Sequence, residues 1–152
     1  MRFPWQKRKH FFTQEEQQRI VTAIRNAELL TSGEVRVFAE SKCSYLDALD
    51  RAKELFFKLQ MDETDERNGV LVYVAVNDRQ LAIFGDEGIH KKVGQSWWES
   101  EINKMIEDIS NHSITAGICD IVGDIGKALQ AHFPFQKGTD RNELPDEIVF
   151  GK

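Results

Sequence analysis

An α/β fold is predicted, a three-layer sandwich whose small mixed, mostly parallel sheet has the order 1-2-3 with strand 3 antiparallel and about four flanking helices. Three features lead there. Residues 69–76, GVLVYVAV, form a β-favouring run with no polar face, which suits a strand in the middle of a sheet covered on both sides. A period-two segment at 34–40, a helical period at 44–60 and that run make a strand-helix-strand unit, parallel and right-handed in nearly all cases. From Ile114 to Leu129 an apolar stripe is wide enough for a largely buried helix.

Each element has its own signal. Thr13-Gln14-Glu15-Glu16 is a capping box that opens a helix, Ile20, Ile24 and Ala27 form its apolar face, and Ser32-Gly33 end the segment. Val35, Val37 and Ala39 alternate with Glu34, Arg36, Phe38 and Glu40, the period of a strand with one well-buried face. From about Ser44 the period lengthens, with Ala48, Ala52, Leu55, Phe56 and Leu59 on one side of a second helix. Turn chemistry at 77–80 joins strand 69–76 to the short apolar run 81–84 as a hairpin. Ser96-Trp97-Trp98-Glu99 reads as another capping box, opening a helix with Trp98, Ile102, Met105, Ile106 and Ile109 on one stripe. Adjacent tryptophans diverge by about 100° on a helix. Trp98 is therefore the core member, and Trp97 is either a contact point for a partner or covered by one of the tails. The last helix starts near Ser113 or Thr115, and Gly117, Gly123 and Gly126 inside it imply a close approach to a neighbour. The organisation is a basic arm at 1–12, one domain at 13–134 and a polar tail at 135–152, of which Ile148, Val149 and Phe150 suit a short extended piece.

Composition narrows the function. At 41% hydrophobic with ten Phe, the chain is too apolar and aromatic for a disordered protein. No apolar run approaches the roughly 18 residues of a membrane-spanning helix. The opening MRFPWQKRKHFF has no continuous apolar stretch or cleavage site and does not read as a secretory signal. Cys43 and Cys119 stand in no Cys-x-x-Cys pattern, and a cytoplasmic setting is expected. The net charge is −5, yet residues 1–12 hold Arg2, Lys7, Arg8 and Lys9 with no acid, so the body is more acidic than the whole. Such a body repels phosphate backbones, and no nucleic-acid partner is expected for it. The arm packs on the body through its aromatics, or touches an anionic membrane as the lesser alternative.

Familiar catalytic signatures are absent: no phosphate-binding Gly-rich loop ending in Lys, no His-Glu-x-x-His and no Gly-x-Ser-x-Gly. His10, His90, His112 and His132 show no ligand spacing, which leaves zinc without a site. The predicted topology instead brings three loops to one sheet edge: Thr31-Ser32-Gly33-Glu34, the run from Asp62 through Asp65, Arg67 and Asn68 to Gly69, and Gly85-Asp86-Glu87-Gly88. Each sets glycine beside carboxylate, so the backbone can bend while hard oxygens converge, as Ca²⁺ or Mg²⁺ requires. Carboxylates crowded in this way repel one another without a cation. The bland alternative is a solubilising loop with turn glycines, and the loop is no EF-hand, because Arg67 stands where the sixth-position glycine would be. The rival location is the opposite edge, at the carboxyl ends of the parallel strands, with Asp78 and Arg79.

These pieces, TSGEV at 31–35, ERNGVLVY at 66–73, Asp78-Arg79, IFGDEGI at 83–89 and Phe133-Pro134, resemble the TPM domain family across roughly residues 13–134. The ending NELPDEI at 142–148 is similar to short, stand-alone bacterial members. The resemblance implies an α/β sandwich and marks Glu34, Asn68, Gly69, Gly85 and Asp86 as family-like positions, with a cation role falling on Glu34 and Asp86. Some members are reported as acid phosphatases and some as binders of divalent cations. Two readings follow. One is a cation-binding interaction domain with metal ligands among Glu34, Asp86, Asp62 and Asp65 and an unidentified protein partner. The other is a metal-assisted phosphomonoesterase acting on a small phosphorylated ligand, in which Arg67 or Asn68 would bind phosphate oxygens. No catalytic set and no organic cofactor are assigned. Many relatives carry a signal peptide and a C-terminal membrane helix that this chain is not expected to have.

Overall fold

The computed structural model describes residues 11–135 and 148–151; most of the basic arm and of the polar tail lies outside these. The elements run α1 Gln14–Glu28, β1 Glu34–Glu40, α2 Ala48–Lys58, β2 Gly69–Ala75, β3 Gln80–Gly85, α3 Glu87–Val93, α4 Gln95–Asn111, α5 Ile114–His132 and β4 Val149–Phe150. They form an α/β sandwich around one mixed sheet of order β3-β2-β1-β4. β1 and β2 are parallel from Glu34↔Gly69 to Glu40↔Ala75, and β3 is antiparallel to β2. The predicted order holds, and β4 joins it by pairing parallel with Phe38 and Ala39.

Two cores explain the layers. Val35, Val37, Ala39, Val70, Val72 and Val74 face α1, α4 and α5, packing on Ile20, Ile24, Trp98, Ile121 and Ile125. Phe38, Leu71, Tyr73 and Ala75 face α2, packing on Ala52, Leu55 and Phe56. All seven residues of β2 are buried. β1 departs from the single buried face expected of it: Glu34, Phe38 and Glu40 on the second face are buried too, because α2 and its loops cover them.

Local differences have local causes. Thr13 and Glu16 form the predicted capping box. The second helix starts four residues later than Ser44, where Asp47 accepts the Leu49 N–H at 2.9 Å and caps it. The capping box at Ser96 is not formed. Gly94, at φ 81°, ends α3 and starts α4 in one residue, so Ser96 is already inside the helix. A fifth helix, α3, rises from the loop 85–88 with Asp86 as its N-cap, so that loop is much shorter than its sequence suggested. Ser113 caps α5 as expected. Trp98 is buried and Trp97 half-buried, the rings meeting edge to face with centroids 5.0 Å apart.

The α5 glycines divide by contact. A Cβ on Gly126 would sit 2.6 Å from the Ala27 Cβ and 2.7 Å from its Cα, so α1 and α5 cross at this point; one on Gly123 would meet nothing within 4 Å. Gly126→Leu is expected to destabilise by about 2 kcal/mol or more through overpacking against backbone. Gly123→Ala should stabilise by about 0.5–1 kcal/mol through helix propensity. Chemical denaturation of both variants checks the pair.

Between α4 and α5, Glu101 is buried beside Asp124, and the Lys104 ammonium lies 2.6 Å from Asp124 and 3.6 Å from Glu101. Burial, and then the hydrogen-bonded Asp124 carboxylate, push the Glu101 carboxyl up to about 7. Burial acts on Asp124 as well, but its hydrogen bonds with Glu101 and Lys104 outweigh this and lower it. A raised carboxyl stabilises the fold while protonated, so the Glu101 contribution is complete below its unfolded value near pH 4.5 and lost as pH rises through about 7. The melting temperature of Glu101→Gln, relative to wild type, should therefore rise between pH 5 and pH 8. Parallel curves for the two proteins would contradict this.

Candidate functional site

Sheet register sets where the three loops meet. Glu34 pairs with Gly69 and Val70 with Gly85, and the Asp86 N–H donates to the Gly69 carbonyl at 2.9 Å. Glu34, Gly69 and Asp86 therefore form one row across the sheet edge. Adjacent strands lie about 4.8 Å apart, which puts the backbones of Glu34 and Asp86 about 10 Å from each other. Gly69 between them admits no side chain, since a Cβ would lie 2.9 Å from the Met61 carbonyl oxygen. Both residues are 2% exposed.

Asp86 is held on every side. Arg67 Nε donates to Oδ2 at 2.6 Å and Nη2 to Oδ1 at 2.9 Å, while Oδ1 also accepts the Glu87 N–H at 2.8 Å. Arg67 Nη1 pairs with the exposed Glu87 at 2.8 Å. Hydrogen bonding to Asp86 leads in raising the pKa of the guanidinium, with the charges of Glu87 and Asp62 adding to it. Arg67 thus stands among Asp62, Asp86 and Glu87 as a cation supplied by the chain itself. Its backbone has φ 52°, a left-handed conformation that costs an arginine energy. The Arg67 carbonyl accepts the Gly88 N–H at 2.8 Å, and a Cβ at Gly88 would lie only 2.1 Å from the Glu66 carbonyl oxygen. The acidic loop and the start of α3 are consequently in direct backbone contact.

A second cluster joins the first and second loops. Ser32 Oγ donates to Glu66 Oε2 at 2.9 Å, and Asn68 Nδ2 donates to Ser32 Oγ at 3.2 Å. The Asn68 N–H is taken by the Thr64 hydroxyl at 3.2 Å, a buried partner that sequence reasoning missed; a hydroxyl five residues before the strand was the only signal. Asn68 is 1% exposed, and its Oδ1 has no hydrogen-bond partner among the described residues. Gly33 and Gly85 are close-approach positions, against Leu129 and the Trp98 ring respectively.

The three predicted loops do converge, but their carboxylates do not all meet at one point. Asp86 faces Arg67, Asp62 is half-buried near that guanidinium, and Asp65 and Glu63 are exposed. Among the described residues no three His, Cys, Asp or Glu side chains are grouped to hold a metal ion. Arg67 satisfies the local demand for positive charge that carboxylate crowding creates.

The opposite sheet edge is closed. Glu40 takes two bonds from Arg51, each 3.0 Å, and one from the Tyr73 hydroxyl; Arg51 also reaches Glu54 at 2.9 Å. Asp78 accepts the Cys43 N–H at 2.8 Å, while Arg79 forms the hairpin turn at φ 53°. Donors and acceptors there satisfy one another.

The family model of the TPM domain matches residues 6–128. The chain is similar to the BA42 protein of the psychrophilic bacterium Bizionia argentinensis, solved by NMR, with 42% identity over 95% of this chain and 99% of that one and a TM-score of 0.85. The N-terminal domain of the cg2496 protein from Corynebacterium glutamicum shares the fold at 10% identity and a TM-score of 0.59, over 88% of this chain and 83% of that one. None of the curated proteins matches.

Asp86→Ala removes the α3 cap and the buried acceptor of Arg67, and is expected to cost about 2 kcal/mol. Glu87→Gln, which touches only the exposed end of the guanidinium, should cost less than about 0.5 kcal/mol. Urea denaturation of the two variants measures the contrast.

Proposed function

Because the chain belongs to the TPM domain family, we propose that it is a binding domain which takes up a divalent cation, Ca²⁺ or Mg²⁺, at the acidic edge in exchange for the Arg67 guanidinium. One observation carries this reading: among the described residues, one positive group, Arg67, stands among Asp62, Asp86 and Glu87. A hard cation replacing it would meet Asp86 first, with Asp62 and the Asn68 amide oxygen, which has no hydrogen-bond partner among the described residues, as further oxygen donors and Glu34 across Gly69. Because the carboxylates diverge, water would complete much of the coordination shell and affinity would lie near ~1 mM. The displaced guanidinium would then be available to a phosphorylated or carboxylate-bearing partner, the group that a planar bidentate donor suits best. A cytoplasmic setting, where Cys43 and Cys119 stay reduced, belongs to the same reading.

The Ser32–Glu66 pair favours a second reading. A hydroxyl donating to a carboxylate at 2.9 Å is the arrangement of a nucleophile beside a base, and the corresponding activity is phosphomonoester hydrolysis. Aryl-phosphate turnover that disappears in Ser32→Ala would establish it; equal turnover in both proteins would mark a contaminant.

At a cation concentration ten times the dissociation constant, the folded state gains roughly 1.4 kcal/mol, which corresponds to about 3–6 °C in melting temperature. Wild type should show this shift with Ca²⁺ or Mg²⁺, Arg67→Gln should show a larger one at the same concentration, and Asp86→Asn none. Melting curves of wild type and Arg67→Gln that ignore both ions would remove the cation reading.

A further inference from the structure

β3 is an outer strand of the sheet, and along it a groove of about 480 Å³ opens between α2 and the α3–α4 pair. Small-molecule clefts occupy roughly 300–1,000 Å³. The α2 wall presents Leu49, Lys53 and Phe57 at i, i+4 and i+8, which is one helix face. Leu49 is 40% exposed and Phe57 44% exposed, although both are large and apolar. The Phe57 ring meets that of Phe84 with centroids 6.0 Å apart, so the slot has an aromatic side and base.

The facing wall sets the polarity. Trp98 Nε1 lies 3.0 Å from His90 Nδ1. An indole nitrogen only donates, so Nδ1 must carry the lone pair, and the neutral imidazole keeps its proton on Nε2 as a hydrogen-bond donor. Lys53 makes no ion pair among the described residues, whereas Asp86 and Glu87, which also line the groove, are both engaged by Arg67. The groove therefore combines an apolar slot with one ammonium, Lys53, that has no ion pair among the described residues, and one neutral donor, His90 Nε2, while its two acids are both held in ion pairs with Arg67.

The geometry points to a binding site for a small organic acid, an aromatic or aliphatic body lying on Phe57, Phe84 and Leu49 with an anionic head taken by Lys53 and His90. This site stands apart from the cation reading, since it needs neither a metal ion nor the release of Arg67.

Titration of ¹⁵N-labelled protein with 2-naphthoate and with its uncharged isostere 2-naphthamide, without divalent cations, tests it. The Trp98 indole N–H resonance and the amides of residues 49–57 and 84 should shift saturably, with naphthoate binding at least five-fold tighter. Lys53→Gln, at an exposed position, should keep the wild-type melting temperature and lose that preference, and Phe57→Asp should bind neither compound. Absence of saturation at millimolar naphthoate, shifts that map to another surface, or an undiminished preference in Lys53→Gln would each overturn the assignment.

Discussion

β2 has seven residues, no charged side chain and no face that tolerates water, so it must be covered on both sides. That requirement places α2 on one side and α1, α4 and α5 on the other. It also makes β1 pair with β2 in parallel, because the connection between them has to pass over a face as a helix. Once β2 is central and β3 returns beside it, the starts of β1 and β2 and the end of β3 lie at one edge. The loop convergence there is a consequence of burial in the middle of the sheet.

At that edge the fold gathers acidic groups that would repel one another, and it answers from within. Arg67 adopts a left-handed backbone conformation, locked by the Gly88 N–H, and from there its guanidinium closes on a nearly buried Asp86. Asp86 in turn caps α3. One ion pair thus ties the acidic loop, the end of β3 and the start of a helix together. An ion pair of this kind is costly to break by removing one partner, since the other stays buried without compensation. The Glu40–Arg51–Tyr73 network lies at the other end of the sheet. There the acceptor is met by a buried phenol as well as a guanidinium, and burial, followed by the bond to Glu40, pushes the phenol pKa well upward.

The same ion pair shapes the groove beside it. Arg67 pairs with both Asp86 and Glu87 and leaves Lys53 as a groove-lining cation without an ion pair among the described residues. Trp98 contributes twice: its ring occupies the space that a side chain at Gly85 would need, and its indole N–H sets the His90 tautomer.

Periodicity, capping boxes and the apolar run at 69–76 sufficed to determine the strand-helix-strand unit, the hairpin, the strand order and the meeting of the three loops, because these depend on local backbone preference and on which residues avoid water. The α3 helix leaves no periodic signal because seven residues are too few to show a helical period, and the Ser96 capping signal is overridden by a neighbouring glycine that turns at φ 81°. β4 depends on a pairing more than a hundred residues distant in sequence. The sequence displayed four carboxylates within residues 62–66, and only the tertiary structure decided that Asp62 and Asp86 share one guanidinium while Asp65 faces solvent. Which charge meets which is a matter of a few ångströms and of side-chain direction across elements far apart in the chain. Spacing along a sequence carries no information at that scale.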